Sequence, residues 1–205
     1  MRFRDLPARA ATATILALLG CGGGSAAPSG TAVAPVVVTR VLPPEQLWVL
    51  EVAGLAPEDT TVTFALAEAR TIILRHGPPD NTVFVELTFP ESVVVARDAP
   101  DSVTIAVRPR PGIYGLDVAM TVLPTRTGSA IRFKYPVHFS APVAGLRQYG
   151  TATRFEQGLA VGQLVDGTRY ALLASTRPAS DNLQAPLPGP GTYLVAAPRE
   201  VRGTR

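Results

Sequence analysis

The sequence predicts an all-β fold, an antiparallel β-sandwich. Two observations carry this expectation. Apolar and polar residues alternate along short runs, the period-two pattern of a strand with one face toward a core. Clusters of Gly, Pro, Asp and Asn then punctuate the runs, as turns do. Hydrophobic residues make up 46% of the chain and aromatics only 6%, so the core is mainly aliphatic.

In order along the chain, "TTVTFAL" places Val62, Phe64 and Leu66 on one face, which argues against a helix over Glu58–Arg70. "TVFVELTF" does the same with Val83, Val85, Leu87 and Phe89, and "SVTIAV" with Val103, Ile105 and Val107. "GLDVAMTV" aligns Leu116, Val118, Met120 and Val122. "AIRFKYPVHF" aligns Ile131, Phe133, Tyr135, Val137 and Phe139, with Arg132, Lys134 and His138 outward. The turns between are "HGPPDN", "RDAPDS", "RPRPG", "TRTGS" and "VDGT". Residues 35–141 therefore form the sandwich. Residues 142–198 are less regular: short strands flank Asp166-Gly167 and Pro188-Gly189-Pro190-Gly191. They form either β hairpins closing the sandwich or a small C-terminal β module, before a tail at 199–205.

The N-terminus reads as an address. Arg2, Arg4 and Arg9 precede an apolar stretch, Ala10–Leu19, too short to span a bilayer. Leu18-Leu19-Gly20-Cys21 resembles the bacterial lipobox. That resemblance implies residues 1–20 as a lipoprotein signal peptide, cleavage before Cys21, diacylglycerol on its sulfur and acylation of the new amino group. Cys21 is the only cysteine, so no internal disulfide competes for it. The alternative is a plain secretory signal with an incidental cysteine. Residues 21–34 are small and uncharged and read as a flexible tether. No Asp follows Cys21; by the same resemblance, a Gram-negative cell would send the protein to the outer membrane. The expected location is the cell envelope, with the membrane as partner through the lipid on Cys21.

Charge excludes one class. The formal net charge is +3, and residues 1–20 hold Arg2, Arg4 and Arg9 against Asp5. The mature chain is nearly neutral, without the basic footprint that nucleic acid requires.

From about Ala69 to Pro198 the order of signals resembles the ZU-type β-sandwich, an immunoglobulin-like relative found in zonula-occludens and netrin-receptor proteins and on bacterial surfaces. The matching segments are Gly77, Thr82–Phe89, Pro90–Val93, Val103–Val107 and Tyr135-Pro136-Val137, then Arg169–Ala174, Asn182–Leu187 and Thr192–Val195. Some such sandwiches cut their own backbone at His-Phe-Ser/Thr, the hydroxyl attacking the preceding carbonyl while the histidine takes its proton. His138-Phe139-Ser140 matches the triplet. Two features argue against cleavage there. His138 continues an outward strand face with no turn signalled before Ser140. The resemblance also places the cleavage triplet near Gly189-Pro190-Gly191-Thr192, where no histidine stands. His138 and Ser140 are thus the less favoured, self-cleaving alternative.

Other chemistries find little in the residues. Histidines are limited to His76 and His138, too few with Cys21 lipidated for a zinc site. Asp80-Asn81, or Asp98 with Asp101, could contribute oxygens to calcium, but Asp and Asn equally serve as turn residues. Glu86 and Glu91 could pair for glycoside hydrolysis, although Glu86 alternates outward. Trp48, the only tryptophan, could be a sugar platform or core. Arg108-Pro109-Arg110 reads as a solvated turn. The expectation is a non-enzymatic, lipid-anchored envelope protein without cofactor or metal. Its strand edges and Pro-rich loops would dock an envelope protein or polymer. A carbohydrate- or peptide-binding module is the alternative.

Overall fold

The computed structural model describes residues 36–52, 54–91, 100–122, 128–136 and 140–199. The chain divides into Met1–Gly30 and Thr31–Arg205, and every described residue lies in the second unit. Among the described residues the architecture is all-β, two antiparallel sheets with two short α-helices.

The strands are β1 (Val38–Leu42), β2 (Leu47–Val49), β3 (Thr60–Ala65), β4 (Arg70–Arg75), β5 (Val83–Phe89) and β6 (Ser102–Pro109). They continue as β7 (Gly115–Met120), β8 (Ala130–Lys134), β9 (Ala160–Val165), β10 (Arg169–Leu173), β11 (Asn182–Pro186) and β12 (Gly191–Pro198). Sheet I is eight-stranded, in the order β1-β10-β9-β12-β7-β6-β3, with β2 also on β12. Sheet II is four-stranded, β11-β8-β5-β4.

Alternation decides which face turns inward. Val103, Ile105 and Val107 of β6, Leu116 and Val118 of β7, Val85, Leu87 and Phe89 of β5, and Ile131 and Phe133 of β8 are buried in one core between the sheets. Across β5 and β8, outward Glu86 is registered against Arg132 and their side chains are ion-paired.

The segment after Pro142 joins both layers. β9, β10 and β12 lie in sheet I and β11 in sheet II. The Pro-Gly-Pro-Gly turn is therefore a corner between sheets, not a hairpin. Tyr193 Oη donates to the Gly189 carbonyl at 2.7 Å and so fastens that corner. Asp166-Gly167 does make a hairpin between β9 and β10: Val165 pairs with Arg169 across the three-residue loop Asp166-Gly167-Thr168, whose first two residues are at positive φ (48° and 74°).

A second, smaller core comprises Leu47, Tyr170, Leu172, Leu194 and Ala196, with Leu42, Val49, Ala160 and Leu164 packed around it. The pairing explains why this face is covered. β1 pairs with β10 and β2 with β12, on opposite flanks of β9. Only five residue steps separate Leu42 from Leu47, a reach of about 18 Å. In a flat sheet β1 and β2 would lie four strand spacings apart, about 19 Å, before any offset along the strands. The sheet must curl there, and the curl encloses the second core.

The strand expected to run through Phe139 ends at Lys134. Tyr135 and Pro136 leave the ladder, and the Ser140 N–H donates to the Pro136 carbonyl four residues back at 3.1 Å. β8 stops here because Pro136 lacks the N–H that a continuing strand would use. Val137–Phe139, and with them His138, lie outside the described residues.

Helices α1 (Val143–Tyr149) and α2 (Ala152–Gly158) follow, neither expected from the sequence. Each has only seven residues, too short to display a helical period. Their boundaries are written locally: Gly150 ends α1 at φ 79°, and the Thr151 side chain accepts from Arg154 N to cap α2.

Candidate functional site

A cavity of about 370 Å³ is built where several strand ends converge. His76 enters it directly after β4, and Asp80 and Thr82 from the β4–β5 connection. Tyr114 stands immediately before β7, and Lys134 ends β8. Ser140 precedes α1, and Asp181 precedes β11. Backbone bonds hold these positions: His76 N to Thr82 O, Tyr114 N to Leu50 O and Tyr135 N to Asp181 O, each 2.9 Å, and Glu51 N to Ser140 O at 2.8 Å.

The inner wall is a polar chain. Tyr114 Oη lies 3.4 Å from His76 Nε2, and Ser140 lies beside Tyr114 in the same wall. His76 is 6% exposed and Ser140 2%, so these groups sit at the cavity floor. The rings beneath are packed: Phe84 stacks on Tyr114 at 5.2 Å, and His76 meets Phe84 edge-on at 5.2 Å. Burial raises the Tyr114 phenol above its ordinary range; Ser140 opposes the shift and the Asp80 carboxylate adds to it. Tyr114 therefore keeps its proton at neutral pH and remains a donor.

The rim carries charge. Lys134 Nζ lies 3.8 Å from Asp181 Oδ2, both side chains nearly half exposed. Asp80 is exposed and makes no ion pair among the described residues.

Tyr135 is fully buried beside this wall, and its hydroxyl lacks a well-formed hydrogen bond. Burial, then the Glu156 carboxylate, push its phenol up to about 12, with Arg177 pulling the other way. The Arg177 guanidinium is itself committed to the carbonyls of Glu156 and Leu159.

The structure disperses most of the candidates named from sequence and gathers a few. Ser140 and His76 share the cavity, with Tyr114 between them. Asp80 is at its rim. His138, Asp98 and Cys21 lie outside the described residues. Glu86 is occupied by Arg132, and Glu91 is exposed. Arg108 pairs loosely with Asp59 at 3.6 Å, both well exposed. Among the described residues no group of three His, Cys, Asp or Glu side chains could hold a metal ion. Trp48 has structural partners: its Nε1–H donates to Gln148 Oε1 at 2.8 Å, and the Arg199 guanidinium lies 3.8 Å over its ring.

Sequence reasoning missed Tyr114, Lys134 and Asp181 as neighbours of His76. They come from distant strands, so no short motif holds them. The one local signal was "HGPPDN", which reads as a turn and also delivers two of the wall residues.

No family model, no curated protein and no solved structure matches this chain.

Proposed function

We propose that this chain is a lipid-anchored, non-enzymatic docking protein of the cell envelope, and that the cavity over His76 and Tyr114 is where its partner engages. The lipid on Cys21 and the tether of residues 21–34 hold the sandwich at a membrane surface, at the outer membrane if the cell is Gram-negative. No helix among the described residues is long and apolar enough to cross a membrane, and the anchor supplies the attachment instead. Two or three acyl chains, at about 0.8 kcal/mol per buried CH₂, hold a protein of this size firmly.

The observation that carries the docking role is the pre-formed cavity, whose polar floor is satisfied internally while its charged rim faces out. That arrangement suits recognition. For nucleophilic chemistry a serine needs a base within hydrogen-bond reach. Here Tyr114 stands between Ser140 and His76. Both backbone groups of Ser140 are also engaged, N–H to Pro136 and carbonyl from Glu51. This bonding supports a positioning role for Ser140 over self-cleavage.

A photo-reactive amino acid placed at Thr82 on the cavity rim tests the site in intact cells. The expected result is a discrete crosslinked adduct that is absent when the probe sits at Thr61, exposed on edge strand β3. Equal labelling from both positions, or none from Thr82, would remove the cavity as the docking site.

A further inference from the structure

We propose that the cavity binds a zwitterionic amino-acid head group, with its ammonium at Asp80 and its carboxylate at Lys134. This rests on the reading of the cavity as a binding site and names its ligand class.

The charges on the wall carry the inference. Asp80 is a carboxylate without an ion-pair partner among the described residues. Its field nonetheless reaches Tyr114 on the cavity floor. A cation brought to it gains an interaction that the protein does not already make. Lys134 is held only loosely: 3.8 Å from Asp181, with both side chains 44% exposed. So exposed and loose a pair is weak, and an incoming carboxylate can compete for the ammonium. One cavity thus offers both signs of charge. Between them Tyr114, Ser140, Thr82 and His76 supply further hydrogen-bonding groups.

A sugar fits this inventory poorly. It would bring no charge for either group. Sugars also favour an open aromatic face, and the rings here are turned into the core: Tyr114 is stacked on Phe84 and His76 is edge-on to it. The volume, about 370 Å³, lies at the small end of ligand pockets, which suits one amino-acid head group rather than an oligomer.

Ring-labelled histidine gives a direct readout, because the chain has two histidines. His138→Asn assigns the His76 signal in the full-length lipoprotein held in detergent micelles. Four probes are titrated: racemic alanine, its methyl ester without carboxylate, N-acetylalanine without ammonium, and N-acetylglucosamine. Alanine is expected to shift the His76 signal saturably, and the ester and the N-acetyl compound to bind at least about tenfold more weakly, a loss of about 1.4 kcal/mol. Asp80→Asn is expected to erase the preference over N-acetylalanine, and Lys134→Gln the preference over the ester. Alanine no better than its two derivatives, or no shift at all, overturns the proposal. A saturable shift with N-acetylglucosamine alone overturns the ligand class while leaving a binding cavity. The crosslink from Thr82 judges the docking reading independently.

Discussion

Phe133→Ala is expected to destabilise the domain by about 3–5 kcal/mol, the range for deleting a fully buried aromatic ring. Phe133 has no exposed surface and sits mid-strand in β8, registered against Val85 of β5 and Leu183 of β11. Its ring meets Phe84 edge-on at 5.9 Å, and Phe84 in turn stacks on Tyr114. The void would therefore open directly beneath the cavity floor. Against a typical total of about 5–15 kcal/mol this is a large share. Denaturant unfolding should show a lower midpoint at an unchanged slope. Phe133→Leu, which keeps most of the apolar volume, should cost clearly less. Equal losses for the two variants would mean that packing under the site is not what the ring supplies.

Gly145→Leu carries the second-largest expected effect. Gly145 lies inside α1, where an added Cβ would stand 2.7 Å from Phe155 Cε2 and 3.2 Å from Trp48 Cγ. Neither neighbour is a flexible tip. Phe155 is fully buried and edge-on to Tyr149, and Trp48 is held by Gln148 and Arg199. Leucine is the better helix former by somewhat under about 1 kcal/mol. Overpacking costs about 1–3 kcal/mol or more, so the clash wins. Trp48 is the only tryptophan, so its fluorescence reports the site directly. A red-shifted emission with a lowered midpoint is the expected pair of results. Gly145→Ala should show the same direction at smaller size. An unchanged Trp48 spectrum in both variants would contradict the packing described for α1 against β2.

These packed regions show where the sequence is legible and where it is not. Strands with one wet face announce themselves: Val103, Ile105 and Val107 alternate with polar or small neighbours because β6 buries one side. β10 and β12 do not. Tyr170-Ala171-Leu172-Leu173 is buried at every position, since one face meets the main core and the other the curled second core. A run buried on both faces loses its alternation, so residues 160–198 read as irregular. The helices escaped for a different reason, being shorter than the pattern that would reveal them. The cavity was least legible. His76 and Asp80 are close in sequence, but Tyr114, Lys134, Ser140 and Asp181 reach them only through the pairing of β5, β8 and β11 and the end of β6–β7. The His138-Phe139-Ser140 triplet singles out Ser140 by its chain neighbour, whereas the structure sets Ser140 in one cavity with Tyr114 and His76. Pro136 is the residue that changes the geometry, because it stops β8 and its carbonyl takes the Ser140 N–H.

We propose a single, uncut chain held at a membrane by lipid on Cys21. It is tested most directly by the intact mass of the full-length protein recovered from the membrane fraction of a lipoprotein-competent bacterium. One chain beginning at Cys21, heavier by a diacylglycerol group and a further acyl group, is expected. An unmodified chain in the soluble fraction would contradict the anchor, and two chains meeting at Phe139 and Ser140 would contradict the positioning role given to Ser140.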